Sequence, residues 1–115
     1  MIIVPPERIR EFKARGWWGD DTLDDLFLKH LSERPNDEAC IDPPNRADIM
    51  GGEPRRLTWA QAGEAVERLA AAFAGQGVKK DDVVVIQLPN VVELGLVYLA
   101  LLRLGAIISP APVQY

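Results

Sequence analysis

The sequence offers few side chains for base or nucleophilic catalysis: its one histidine, His30, its one cysteine, Cys40, and its best-placed serine, Ser109. A nucleophile needs a base within hydrogen-bond reach, and nothing in the sequence pairs these three residues. No Cys, Asp or Glu lies at metal-ligand spacing around His30. We therefore predict no catalytic, cofactor-binding or metal-binding residue. We interpret His30 as a residue at a helix border, and Cys40 as a buried, unreactive thiol in a strand, with a reactive thiol as the alternative.

Two further patterns could bind phosphate or a metal ion. Gly51 and Gly52 indicate a turn, because no strand directly precedes them and no Lys-Ser or Lys-Thr follows, as a phosphate-binding loop would require. Asp81 and Asp82 could contribute to a metal site, but a solvated turn is the simpler interpretation. The other acidic pairs fall where polar turns and helix starts need them: Asp20, Asp21, Asp24, Asp25.

The composition is that of one domain, or part of one. Of 115 residues, 48% are hydrophobic, enough for a core of ordinary size. The net charge of −4 argues against nucleic acid as a partner, since phosphate contacts need clustered Lys and Arg. We expect a cytoplasmic protein without a membrane span, because the most apolar segment, residues 91–104, is shorter than the roughly 20 residues that a span needs. The apolar start at residues 1–4 is likewise too short for a secretory signal.

Residues 81–112 predict a strand–helix–strand unit around which the chain is organised. Residues 83–88 are apolar and rich in β-branched side chains, which is typical of a strand covered on both faces in a parallel sheet. Residues 91–104 predict an apolar, buried helix, and residues 106–109 predict a second apolar strand. The short joints between these elements indicate a right-handed crossover between parallel strands.

Local signals predict where the helices begin and end. Asn90 is expected to cap the helix of this unit, with Glu93 reaching back in a capping box, and Gly105 fits the left-handed position just past its end. Thr22 is expected to cap an earlier helix. Thr58 opens another, and Gln61 completes its capping box: Thr58 and Gln61 stand three residues apart, as that motif requires.

The remaining segments are less regular. Residues 5–15 predict a short helix with a solvated charged face, rather than a membrane-binding one. The tryptophans at 17–18 are expected to anchor their loop onto a core, with a ligand platform as the alternative. Residues 39–42 and the neighbours of Leu57 predict a hairpin, whose long loop, residues 43–54, is expected to be mobile. The fold class is therefore α/β: part of a three-layer α/β/α domain with a mostly parallel sheet.

Two stretches together resemble the adenylate-forming acyl-CoA synthetase superfamily. LTWAQAGEAVERLAAAFAGQGVKKDDVVVIQLPN, residues 57–90, is similar to the family's Leu-Thr-Tyr opening, helix, Gly-Val turn and strand ending in Leu-Pro-Asn. LLRLGAIISPAP, residues 101–112, is similar to the family's following helix end and strand. Trp59 stands where the family usually has Tyr, Asp81 where it has Gly and Arg103 where it has Lys. Within the superfamily, the sequence most resembles aryl-acid AMP ligases and cyclic-acid or fatty-acid CoA ligases.

The resemblance implies a two-step reaction for the parent enzyme. A small carboxylic acid attacks ATP, with magnesium balancing the phosphate charge, to give an acyl-adenylate; the thiol of coenzyme A then takes the acyl group. The family's phosphate loop and catalytic lysine would lie further along the polypeptide, so no functional residue is carried over onto this chain. ATP, magnesium and coenzyme A are therefore expected to serve the parent and not this fragment.

These expectations define what the chain would be. Residues 1–115 would form the N-terminal portion of the large adenylate-forming domain, with residues 1–20 as a leading helix and Trp-rich loop, residues 21–115 as an α/β subdomain, and the C-terminal domain absent. The chain alone would be inactive, with Tyr115 as a cut edge, and could self-associate through apolar faces left uncovered around residues 91–108. The alternative is a stand-alone α/β interaction or regulatory domain without catalysis.

Overall fold

Helices and strands alternate along residues 3–114, the part of the chain that the computed structural model describes. The elements in this range are α1 (Pro6–Ala14), α2 (Leu23–Glu33), β1 (Glu38–Ile41), α3 (Arg46–Ile49), β2 (Arg56–Thr58), α4 (Trp59–Gly75), β3 (Val83–Ile86), α5 (Val92–Arg103) and β4 (Ile107–Pro110). The α/β class predicted from the sequence is confirmed. No helix in the described range has the length and hydropathy needed to cross a bilayer.

Helices α2 and α4 begin with the predicted caps. The Thr58 hydroxyl accepts from the Gln61 N–H at 3.2 Å, and the Gln61 side chain accepts from the Thr58 N–H at 2.9 Å. Thr22 and Asp25 form the same reciprocal pair, with the Thr22 N–H donating to the Asp25 carboxylate at 2.7 Å. Both motifs satisfy backbone donors that the first helical turn leaves unpaired.

The main core lies where α2, α4 and α5 meet. Its buried side chains come from all three helices: Phe27, Ala62, Val66, Ala70, Val92, Leu96, Ala100. An ion pair closes one border of this core, because the Arg103 guanidinium of α5 donates to the Asp24 carboxylate of α2 at 3.0 Å. Asp24 therefore pairs across the helix interface, besides lying in the first turn of α2, where negative charge is favoured.

Strands β3 and β4, which precede and follow α5 in the sequence, pair in parallel with each other, as predicted. Val83 lies opposite Ile107, and Ile86 lies opposite Pro110. Gly105 adopts the predicted left-handed conformation between α5 and β4, with φ of 70°. Strand β3 ends at Ile86, two residues earlier than residues 83–88 would require.

The expectation that β3 is covered on both faces is wrong for this chain. Ile86 packs against α5 and Ala106 in a second buried cluster. On the opposite face, Val83 is 62% exposed and Val85 is 68% exposed. One face of the β3–β4 pair is therefore bare, because in the described range α5 supplies a cover for the other face only.

Strands β1 and β2 form the predicted hairpin. They pair antiparallel, with Cys40 opposite Leu57, and they share no strand with β3 and β4. The loop between them contains α3 and a buried arginine, Arg46. The interpretation of this loop as merely mobile is therefore incomplete, since one of its side chains is an integral part of the interior.

The tryptophans at 17–18 do not anchor their loop on the main core. The rings of Trp17 and Trp18 lie 5.5 and 5.1 Å from that of Phe12, measured between centroids, and the N–H groups of both donate to the Phe12 carbonyl. The chain turns back over the end of α1, and its aromatic rings pack against one another there. Both tryptophans stay exposed, Trp17 the more so.

Asp81 has a left-handed backbone, with φ of 69°, before β3. This conformation costs an ordinary residue about 1–2 kcal/mol, and glycine adopts it freely. We expect D81V to lower the free energy of unfolding by about 1–2 kcal/mol, and D81G to stay within about 0.5 kcal/mol of wild type, because relief of strain offsets the greater freedom of the unfolded chain. Urea unfolding followed by circular dichroism measures both.

Lys79→Val is the control for the Asp81 variants. It places the same β-branched residue in the same turn, at a position whose φ is not positive. We expect it to change stability by no more than about 0.5 kcal/mol. Equal destabilisation by D81V and K79V would show that the backbone conformation at residue 81 is not the cause.

Candidate functional site

A buried carboxylate, Asp42, lies at the N-terminus of α5. Its side chain is 0% exposed, and one oxygen, Oδ1, accepts from the Val92 N–H at 2.8 Å. The other, Oδ2, accepts from the Arg55 N–H at 2.9 Å and from Arg46 Nη1 at 2.9 Å. A residue at the end of β1 therefore caps a helix that begins 50 positions later.

The predicted cap of α5 is wrong. Val91, and not Asn90, occupies the cap position, and its side chain makes no capping hydrogen bond. The helix begins one residue later than predicted, and Asp42 occupies the place where a local cap would bind. Glu93 does not reach back to the helix start, because its carboxylate pairs with arginines of the β1–β2 loop and β2 entry.

Two arginines bind Glu93. Arg46 makes a two-pronged contact, from Nη1 to Oε2 at 2.8 Å and from Nη2 to Oε1 at 2.7 Å. Arg55 Nη2 lies 2.5 Å from Oε1 of the same carboxylate, and its Nε lies 3.6 Å from Asp42 Oδ2. We call Asp42, Arg46, Arg55 and Glu93 the ion cluster; its two positive and two negative charges balance.

The ion cluster lowers the pKa values of both carboxyl groups. Burial opposes ionisation of Asp42, but hydrogen bonds from the Val92 and Arg55 N–H groups and from Arg46 outweigh it, and the pKa of Asp42 is lower than usual. Hydrogen bonds from Arg46 lower the pKa of Glu93 to about 2, against the effect of burial. The pKa of Arg46 is raised by the same contacts, Glu93 first. Neither carboxylate is therefore suited to take up a proton as a base near neutral pH.

An open cleft of about 500 Å³ lies beside the ion cluster. Its lining includes Cys40, Asn90, Gly95 and Tyr98, together with Asp42. A smaller, mostly apolar pocket of about 280 Å³ is lined by both His30 and Cys40. The structure thus brings two of the three reactive side chains to one pocket.

The surroundings of His30 and Cys40 are those of structural residues. The Arg34 guanidinium lies 2.9 Å from His30 Nδ1, and the His30 ring lies 5.1 Å from that of Trp59. This places His30 in the last turn of α2 against a neighbouring aromatic ring, as a helix-border residue. Cys40 is half-buried, less than predicted, and burial raises the pKa of its thiol, which reduces its reactive thiolate form.

The remaining candidates lie apart from that pocket. Ser109 is on β4, opposite Val85, in the other sheet. Asp82 accepts from the Lys79 N–H at 3.0 Å, and Lys80 Nζ lies 3.0 Å from the Asp81 carboxylate, which is the arrangement of a polar turn. Within residues 3–114, no three His, Cys, Asp or Glu side chains are grouped so that they could hold a metal ion.

The residues of the ion cluster were not found from the sequence. Asp42 ends a predicted strand, and Arg46 and Arg55 fall in or beside a segment whose composition indicates only a loop. The one available signal was Glu93, a lone acidic residue in an otherwise apolar helix start. Its two-pronged partner, Arg46, is 47 positions away in the chain, so no local pattern identifies it.

Replacing Glu93 with glutamine should change the response of the protein to acid. The folded-state pKa of about 2 lies below the unfolded value of 4.5, so the ion pairs of Glu93 stabilise the fold above the unfolded pKa, and this stabilisation is lost as the pH falls through the folded pKa. We expect the difference in unfolding free energy between wild type and E93Q to be largest near neutral pH and to shrink between about pH 5 and about pH 2. Urea unfolding at a series of pH values measures it.

Glu38→Gln is the matched control for E93Q. Glu38 pairs with Arg56 at 2.8 Å, but both side chains are more than half exposed, so E38Q should differ little from wild type at any pH. A stability difference between wild type and E93Q that stays constant across the acid range would contradict the role given to Glu93.

Most of this chain is similar in sequence to known proteins. A family model described as AMP-binding enzyme matches residues 27–115. The sequence is 33% identical over 107 residues to the salicyl-AMP ligase / salicyl-S-ArCP synthetase of Mycobacterium tuberculosis, covering 93% of this chain and 18% of that protein. It is 34% identical over 96 residues to the acetyl-coenzyme A synthetase of Shewanella amazonensis, covering 81% and 14%.

A solved structure extends the match to the whole chain. The apo structure of Mycobacterium smegmatis MbtA superposes with a TM-score of 0.78 at 30% identity, and covers 100% of this chain and 20% of that one. The chain spans about a fifth, or less, of the length of these proteins. The resemblance found in the sequence is confirmed, and this chain belongs to the AMP-binding enzyme family.

Proposed function

We propose that this chain is the N-terminal structural portion of a ligase that uses ATP to activate a small carboxylic acid as an acyl-adenylate and then transfers the acyl group to the thiol of coenzyme A. The observation that carries the proposal is the superposition of the whole chain on a fifth of the MbtA apo structure, at 30% identity. The matched family and the acetyl-coenzyme A synthetase relative support the same chemistry. A cytoplasmic location follows from the proposal, because ATP and coenzyme A are cytoplasmic metabolites.

In this proposal, the chain contributes structure to the complete enzyme and does not bind its cofactors. Two observations support this part of the proposal: residues 3–114 offer no group of metal-ligating side chains, and the Gly51-Gly52 turn belongs to a hairpin loop and is followed by Glu53 and Pro54. The two carboxylates of the ion cluster are already bound by arginines. Binding of ATP, magnesium and coenzyme A is therefore proposed for other parts of the complete enzyme.

The proposal also specifies the class of acid substrate and the thiol acceptor. One relative is named for salicylate and for an S-ArCP acceptor, and another for acetate and coenzyme A. We propose a small carboxylic acid with coenzyme A as the acceptor. The alternative is an aromatic acid that is transferred to the thiol of a carrier protein. The assays described next distinguish the two.

ATP–pyrophosphate exchange tests the proposal directly. We expect residues 1–115 alone to show no exchange above a heat-treated control with acetate, benzoate, salicylate or 2,3-dihydroxybenzoate, because we propose that the phosphates bind to other parts of the complete enzyme. A polypeptide that continues past Tyr115 should exchange with at least one of these acids, and thioester formation with coenzyme A then identifies the acceptor. The salicyl-AMP ligase of M. tuberculosis is the positive control.

Two outcomes would count against the proposal. Exchange catalysed by residues 1–115 alone would show that the chain carries a site of its own. A coding sequence that stops after Tyr115, together with a chain that binds another protein without any exchange, would favour a stand-alone interaction domain.

We also propose that the isolated chain self-associates through the bare face of the β3–β4 pair. Parallel strands occur almost only where both faces are covered, and Val83 and Val85 are exposed on a face that carries no charged side chain in β3 or β4. The surface differs from the one expected from the sequence: α5 is mostly covered, and the uncovered apolar side chains are on β3. A second copy of the chain would cover them.

Light scattering over a range of concentrations tests the self-association. We expect the wild-type mass to rise with concentration, and V83E/V85K, which adds no net charge, to stay monomeric, because charged side chains oppose burial of this face. Val113→Lys is the control, since Val113 is exposed but lies outside the sheet. A monomeric wild type at the highest concentration, or equal loss of association in V113K, would contradict the proposal.

A further inference from the structure

The loop between β1 and β2 is attached to the rest of the chain by one side chain and not by its backbone. We call residues 43–54 the strap. Its backbone hydrogen bonds stay within the strap: Arg46 N–H to the Pro43 carbonyl, Met50 N–H to the Arg46 carbonyl, and Gly51 N–H to the Ala47 carbonyl, at 2.9–3.1 Å. The strap therefore folds on itself, and backbone pairing does not fix it to the body of the chain.

One side chain attaches the strap to the body. Arg46 is 8% exposed, whereas the other strap residues are exposed, apart from the half-buried Pro43. Neither Ile49 nor Met50 is a buried apolar anchor, since they are 41% and 47% exposed. The attachment is thus the set of hydrogen bonds from Arg46 to Asp42 and Glu93.

The body can keep its structure when Arg46 leaves. Arg55 lies just outside the strap and binds Glu93 by itself. Asp42 would retain its hydrogen bonds from the Val92 and Arg55 N–H groups, and its own N–H donates to the Arg55 carbonyl at 2.9 Å at the base of the strap. Both carboxylates therefore keep partners that do not belong to the strap.

The ends of the strap suit a local opening. Gly51 and Gly52 have positive φ values of 81° and 78°, and glycine rotates about its backbone more freely than other residues because it has no Cβ. At the other end, Pro43 and Pro44 restrict rotation. Motion would therefore be taken up mainly at the glycines.

We propose that the strap opens as a local unit, by withdrawal of Arg46 from Asp42 and Glu93, while β1, β2 and α5 remain folded. Opening changes the ion cluster from two positive and two negative charges to one positive and two negative. It uncovers an acidic position at the start of α5 that binds a guanidinium group when the strap is closed. The strap is thus a conformational device controlled by one arginine.

Native-state hydrogen exchange of residues 1–115 tests the proposal. In the wild type, the strap amides of Asp48, Met50 and Gly51 should be protected, but should exchange at least tenfold faster than amides in the middle of α4, because local opening needs less free energy than global unfolding. Low urea should speed exchange in α4 but not in the strap, since local opening exposes little surface. This comparison needs no variant.

Arg46→Met isolates the attachment. It keeps the side-chain bulk but removes the charge and the donors, so the strap amides should lose at least tenfold of their protection. Loss of the closed state also lowers global stability, so exchange in the middle of α4 should speed up by a similar factor, but those amides should stay at least tenfold better protected than the strap because the body remains folded. Arg56→Met is the matched control, because Arg56 is exposed and pairs only with the exposed Glu38 among the described ion pairs; it should leave the strap unchanged. Strap amides without protection in the wild type, equal exchange rates in strap and α4 of the wild type, or equal exchange rates of strap and α4 in R46M would each overturn the proposal.

Discussion

The structure depends on the burial of one ionised carboxylate, Asp42. A buried charge is tolerated only when hydrogen bonds replace the water that it has lost, and Asp42 receives them from Val92, Arg46 and Arg55. These donors come from α5, from the strap and from the entry to β2. Because the β1–β2 and β3–β4 pairs share no strand, this carboxylate is a direct polar link between the hairpin and the parallel unit. The apolar core of α2, α4 and α5 supplies the rest of the connection.

The ion cluster fixes an arrangement more than it adds stability. Buried ion pairs gain little over apolar packing of the same volume, but an unpaired buried charge is strongly unfavourable. Any packing that moves α5 away from the end of β1 would leave Asp42 without Val92 and Glu93 without Arg46. The ion cluster therefore disfavours alternative positions of the hairpin, and this accords with a chain whose proposed contribution to a ligase is structural.

Interactions between residues close together in the sequence could be predicted, and those between distant residues could not. The capping boxes at Thr22 and Thr58 were predicted because both partners lie within one helical turn, and the β3–α5–β4 unit was predicted from its apolar runs. The cap of α5 was not, since Asp42 lies 50 positions before Val92. The apolar run of β3 indicates a strand that could be buried on both faces. It does not show which of those faces the chain itself packs against.

The position of the ion cluster at a helix N-terminus explains why the strap and α5 need not open together. The first turn of a helix carries a partial positive charge, which favours nearby anions. With the strap closed, Arg46 competes with that turn for Asp42 and Glu93; with the strap open, the two carboxylates have one full positive charge fewer, and the helix terminus and Arg55 still oppose their repulsion. A loop held by an arginine over carboxylates at a helix C-terminus would have no such compensation, and its release would destabilise the helix as well. The direction of α5 is thus the feature that makes local opening compatible with an intact core.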